Sequence, residues 1–194
     1  DHILNNSKIE HRIKAIFNTT PQNVMINELI LKNKVLELKI TAKDNENLDL
    51  LKQSLNKIYQ TVETKKLDEK QEINFEAIVV AKDELEIKDV VYGIFTQEYL
   101  QDELFDKESI NEQLKILLPE HSIIKYIETL NANKVEIFSF SVNTIVKEPK
   151  DLFNIFTNIN SELYSITISK PILMKNTNLG IEVDFIIEFN QLKN

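Results

Sequence analysis

Apolar residues recur along this chain in two rhythms, every three or four positions and every second position, and the switches between them mark its elements. Ile9, Ile13, Ile16 and Phe17 are spaced for one face of a helix over residues 7–18, with Ser7 placed to cap its first amides. Thr19-Thr20-Pro21 ends it, because the residue before a proline is pushed out of the α region. Residues 24–31 and 35–42 are rich in branched apolar side chains on either side of the polar Lys32-Asn33-Lys34, which predicts a β-hairpin. In its second strand Leu36, Leu38 and Ile40 alternate with Glu37, Lys39 and Thr41, giving one inward face and one wet face. Asp44-Asn45-Glu46-Asn47 offers capping side chains, and Leu48, Leu51, Leu55 and Ile58 then predict an amphipathic helix to about Gln60. Strands over 61–67 and 73–81 complete an α-β-β-α-β-β order.

Residues 83–118 are less regular. Val90, Val91, Ile94, Phe95, Tyr99, Leu100, Leu104 and Phe105 fit a helix that Gly93 and the adjacent valines weaken, so the stretch reads as a largely helical connector. Ser109 with Glu112 has capping-box spacing and opens a helix through Leu114, Leu117 and Leu118 up to Pro119. Ile123, Ile124, Ile127 and Leu130 return to helical spacing, and Asn131-Ala132-Asn133 makes a turn into a strand over 135–144. Pro149 suits a first helical position ahead of Leu152, Phe153, Phe156 and Ile159. Tyr164, Ile166 and Ile168 alternate with polar residues as far as Pro171, and Ile181, Val183, Phe185, Ile187 and Phe189 give the cleanest period-2 strand. This predicts an α+β chain of two tandem ferredoxin-like domains, with helices packed on one face of mainly antiparallel sheets. The expected division is residues 1–84, a connector over 85–118, and a second domain over 119–194.

Composition narrows the chemistry. Hydrophobic residues make up 42% and charged residues 28%, a mix that can bury a core. Only Gly93 and Gly180 are glycines, where average usage would give roughly 14. Phosphate-cradling loops of the Rossmann and P-loop kinds need several, so nucleotide chemistry of those kinds is excluded. A net charge of −8 repels nucleic acid. The densest acidic stretch, residues 83–112, sets ten carboxylates against Lys82, Lys88 and Lys107, and reads as a solvated linker or as a docking surface for a basic partner. The absence of cysteine rules out disulfides, thiolate catalysis and Cys-ligated metal.

Candidate catalytic residues are few. His2, His11 and His121 have no neighbours that suggest a triad or a metal pair, since adjacent residues such as Glu10 and His11 do not face one another on a helix. Glu182, Asp184 and Glu188 share the polar face of the last strand, either as a solvated face or as a cation or partner site. The expectation is a non-enzymatic chain with no catalytic, cofactor-binding or metal residues. A single continuous sheet enclosing a deep, charged cavity would overturn it.

Residues 20–29 (Thr-Pro-Gln-Asn-Val-Met-Ile-Asn-Glu-Leu), 35–40 (Val-Leu-Glu-Leu-Lys-Ile) and the spaced leucines of 48–58 resemble the periplasmic domain of the PilN family, in which a helix leads through a Pro-x-x-Val/Ile entry into a hairpin and then a leucine-rich helix. The resemblance covers about residues 9–81. Residues 119–194 are similar in element order to PilO and to general-secretion platform domains. The resemblance implies the extracytoplasmic part of a bitopic inner-membrane protein in a type IV pilus, type II secretion or DNA-uptake apparatus, on the periplasmic face. Its partners would be sister subunits, as a homo- or heterodimer. No apolar run approaches the ~18 residues of a membrane helix, and the chain starts at Asp1-His2, so the anchor is expected upstream. A cytoplasmic regulatory module that binds a small ligand between ferredoxin-like domains is the alternative.

Overall fold

The computed structural model describes residues 2–86, 105–160 and 165–193. Along them run α1 (His2–Thr19), β1 (Val24–Leu31), β2 (Val35–Asp44), α2 (Asn45–Leu55), β3 (Tyr59–Lys66), β4 (Ile73–Glu84), α3 (Lys107–Leu117), β5 (Ile123–Ala132), β6 (Val135–Val146), α4 (Pro149–Asn160), β7 (Ser165–Thr177) and β8 (Gly180–Leu192). The chain is α+β, and its strands form one eight-stranded antiparallel sheet in the order β3-β4-β2-β1-β7-β8-β6-β5.

That order contains a repeat. Numbered within its own half, each run of four strands is laid down third, fourth, second, first, and the two runs join where β1 meets β7. The repeat extends to detail. Asn27 is an extra residue in the β1–β2 ladder and Ile127 an extra residue in the β5–β6 ladder, each the same distance ahead of Val35 and Val135.

All four helices lie on one face, in the row α2–α1–α4–α3. Beneath them is one continuous hydrophobic cluster that draws Ile9, Ile13 and Ile16 from α1, Leu48 and Leu51 from α2, and Leu152 and Phe156 from α4. From the strands it takes Leu29, Leu38, Phe75, Phe140, Phe185 and Phe189, so the two halves share a core. Phe156 and Phe185 meet at 6.0 Å between ring centres.

The β1–β7 pairing is short: Glu28, Leu29, Ile30 and Leu31 oppose Lys175, Met174, Leu173 and Ile172. Beyond it, among the described residues, the first part of β7 has no neighbouring strand on that side, and a side chain takes the strand's place. Asn6 of α1, buried, donates from Nδ2 to the Ile166 carbonyl at 2.5 Å and accepts at Oδ1 from the Ile168 amide at 2.9 Å. Buried backbone groups left unpaired are costly, so the carboxamide stands in for a strand of which β1 has run out. α1 then crosses onto α4. Thr157 donates to Glu10 at 2.7 Å, and Phe17 packs edge-on to Phe153 at 6.0 Å.

Several expectations need correction. Residues 123–130 are not a helix but most of β5. The extra residue at Ile127 shifts the alternation by one, so apolar positions that belong to a strand fall at helical spacing. α2 ends at Leu55, because Tyr59 opens β3, and α3 begins at Lys107, because Asp106 rather than Ser109 is its cap. β7 continues past Pro171 to Thr177 by way of an irregularity between Ser169 and Leu173, and the Lys170–Pro171 peptide is cis. The helical reading of 90–104 and the placement of Tyr164 fall outside the described residues. Non-glycine residues supply the two corresponding hairpin turns: Lys34 between β1 and β2 and Asn133 between β5 and β6 take positive φ themselves. Gly180 (φ 135°) is different, because a Cβ there would run into the Val146 carbonyl oxygen.

Two outcomes follow. Asn6→Leu strands the Ile166 carbonyl and the Ile168 amide, and is expected to lower stability by about 3 kcal/mol in urea unfolding, with faster hydrogen exchange at the Ile168 amide. Asp44 accepts from the amide and then the side chain of Asn47, and Asp106 from those of Ser109, which holds both carboxyls below the ordinary 3.8. A depressed folded-state pKa gives stability that is present above about pH 4 and is lost as pH falls through the lowered values. The urea midpoint should drop over that window, and less steeply in the Asp44→Asn, Asp106→Asn double variant.

Candidate functional site

The sheet has two outer edges, β3 and β5, and they differ in chemistry. β3 turns Gln60, Thr61, Glu63 and Lys65 to solvent, the charged and polar dress that discourages strand addition. β5 instead exposes large apolar side chains: Ile123 is 53% accessible, Tyr126 40%, Ile127 47% and Leu130 50%. It is also the counterpart of β1, whose outer edge β7 covers.

The ladder to β6 fixes where each β5 side chain lies. Ile124, Tyr126 and Thr129 oppose Val142, Phe140 and Phe138, which are buried, and so lie on the helix face. Ile123, Lys125, Glu128 and Leu130 oppose Asn143, Ser141, Ser139 and Ile137 on the open face. Tyr126 is held from several sides: its ring meets Phe140 at 5.7 Å, its hydroxyl shares a 2.6 Å hydrogen bond with Thr129, and the Lys107 ammonium sits 4.8 Å from the ring centre. The middle of the strand is thus braced, while no other described strand pairs with its outer backbone edge.

On the open face, the carboxylates singled out from sequence are partly brought together. Asn143 of β6 donates to Glu182 at 2.9 Å and to Asp184 at 2.8 Å, whereas Glu188 lies apart and accepts from Ser169 at 3.3 Å. Glu182 also ends a row of alternating charge across the joint, in which Lys39, Glu28, Lys175 and Glu182 stand opposite one another in turn on β2, β1, β7 and β8. Such cross-strand pairs fix register more than they add stability. Beside them lie two open grooves. One of about 330 Å³ is bordered by Glu28, Lys175 and Glu182, and one of about 550 Å³ by Ile123, Leu173, Asp184 and Ile186. Both are shallow depressions on the sheet rather than enclosed chambers.

A buried charged node sits under the helix layer, and sequence gave no sign of it. Arg12 of α1 donates from Nε to Glu84 at the end of β4 at 2.9 Å and from Nη2 to the Leu85 carbonyl at 3.1 Å. Its guanidinium lies 5.6 Å from the ring centre of Tyr59. Burial, with the Glu84 charge added to it, pushes the Tyr59 phenol well above its ordinary range, and that hydroxyl has no hydrogen-bond partner among the described residues. Burial also lowers the Lys170 ammonium from β7; Glu84 opposes that shift, while Arg12 and Lys8 add to it. The node therefore ties the end of β4 to α1 and brings a β7 lysine near the same carboxylate.

His2 is the first residue of α1, His11 is exposed on α1, and His121 is exposed in the turn before β5. Among the described residues no three His, Asp or Glu side chains are arranged to hold a metal ion, and no helix is long and apolar enough to cross a membrane. The β5 edge was missed in sequence because its bulge mimics helical spacing. The available signal was the match of Ile26-Asn27-Glu28 and Val35 with Tyr126-Ile127-Glu128 and Val135 at a constant offset.

Glu84→Gln leaves Arg12 buried without its counter-charge and is expected to cost about 3 kcal/mol. Replacing both Arg12 and Glu84 by Met should recover most of that loss in urea unfolding at pH 7; a double variant no more stable than the single would contradict the pairing. Compared with known proteins, the chain matches no family model, no curated protein and no solved structure.

Proposed function

We propose that this chain is a non-catalytic assembly module whose working surface is the outer edge of β5. The observation that carries this reading is the edge itself: ten residues long, apolar at four exposed positions, and equivalent to a strand that is paired elsewhere in the same sheet. An open edge presents free N–H and C=O groups in a row, and an added strand satisfies them while its side chains cover the flanking apolar residues. The shared core and the bracing of Tyr126 support a rigid edge, which lowers the entropy lost on pairing.

Within this reading each half is a ferredoxin-like unit. The PilN-like pattern of residues 9–81 supports a place in an inner-membrane platform of a pilus, secretion or DNA-uptake apparatus, with sister subunits as partners and an anchor outside this chain. Both grooves are open, and the smaller one borders charged residues already matched across strands, which supports structural work over turnover.

A photo-crosslinking residue placed at Ile127 in the full-length protein, in its native cells, tests the reading. Adducts to platform subunits or to a second copy are expected from Ile127, and none from the same probe at exposed Leu50 on α2. No adduct from Ile127 would overturn the proposal.

A further inference from the structure

The edge reading can be taken to a particular occupant. We propose that β5 pairs with β5 of a second copy of this chain, antiparallel about a two-fold axis perpendicular to the sheet, so that the two sheets run together edge to edge.

Symmetry makes a strict demand here. A two-fold of this kind keeps the helix face on the helix face, and directly opposed residues in a ladder share a face. In an unbroken strand, residues three apart lie on opposite faces, so Lys125 could never oppose Glu128 of a second copy. The extra residue at Ile127 removes that obstacle. Lys125 and Glu128 oppose Ser141 and Ser139 on β6, which places both on the open face.

With the axis passing by Tyr126 and Ile127, the remaining partners follow. Lys125 meets Glu128 of the second copy and Glu128 meets its Lys125, giving two symmetric ion pairs. Ile123 meets Leu130 on the same face, and Ile124 meets Thr129 on the helix face. The strand's only two charges are thus cancelled and its exposed apolar residues oppose one another, which is the self-complementarity an isologous contact needs. The overall charge of −8 does not bear on this strip, since β5 carries one Lys and one Glu.

The competing arrangement, β5 of one copy on β3 of the next, would repeat the internal β1–β7 joint, but the structure lacks the parts for it. The β7 segment that β1 uses is Ile172–Lys175, beyond the irregularity at Pro171. Matching β4 to β8 through their ladders with β2 and β6 sets the end of β3, Lys66, level with Ile168, so β3 stops before the equivalent segment begins.

This inference rests on the β5-edge reading. Sedimentation equilibrium of the 22.6 kDa chain, with charge-reversal variants, tests it. Wild type should form a dimer. Lys125→Glu alone and Glu128→Lys alone each set like charges opposite one another twice, and each should weaken the dimer by about tenfold or more. The double reversal restores opposite charges and should restore the dimer. Urea unfolding at low protein concentration, unchanged across the variants, checks that all of them fold. A wild type that stays monomeric at every concentration, or a double variant no tighter than the singles, overturns the self-pairing. If Ile127 still crosslinks to other proteins in that event, the edge reading survives with a different partner; if it crosslinks to none, both fall.

Discussion

Everything in this fold depends on the four-residue seam where β1 meets β7. Without it there would be two four-stranded sheets, each with two bare edges; with it there is one sheet and one core. Four residue pairs alone are a slender joint. What makes it hold is that α1 lies across it, with its apolar stripe in the shared core, Asn6 completing the hydrogen bonding of β7, and Arg12 anchored to Glu84 at the end of β4. The row of alternating charge on the opposite face fixes the register of the same seam. Helix-side burial supplies the stability, and the polar contacts on both faces select which of several apolar registers is occupied.

The repeat explains why the two ends of the sheet are unlike. Because both halves lay their strands down in the same order, one half's first strand is consumed at the seam while the other's is left outermost. The same accounting leaves β3 at the far end, and there the sequence has placed glutamate, lysine and threonine. One edge is therefore guarded and one is not.

Much of this was legible from residues alone. The hairpin at Lys32-Asn33-Lys34, the cap at Asp44, the helix opening at Pro149 and the alternation from Ile181 to Phe189 all act locally, through turn chemistry and side-chain period, and a local reading finds them. What was not legible was set by partners far away in sequence. Ile127 belongs to a strand only because β6 lies beside it, and Asn6, ahead of the helix expected from Ser7, carries no sign of its role until β7, some 160 positions on, arrives needing a donor and an acceptor. Nor does anything in the pattern around Leu29 announce that its second neighbour is Met174. The carboxylates Glu182 and Asp184 were seen to share a face, but the Asn143 amide that gathers them comes from another strand.

The seam also imposes an order on synthesis. β1 leaves the ribosome roughly 140 residues ahead of the β7 segment that covers it, which at about 5–20 residues per second is a wait on the order of ten seconds. Throughout that interval the nascent N-terminal half carries an uncovered, strongly apolar strand. On a polysome, where neighbouring chains are close, that strand meets other chains' β7 segments before its own is made. Exchange of halves between chains is the misassembly that this order of synthesis favours.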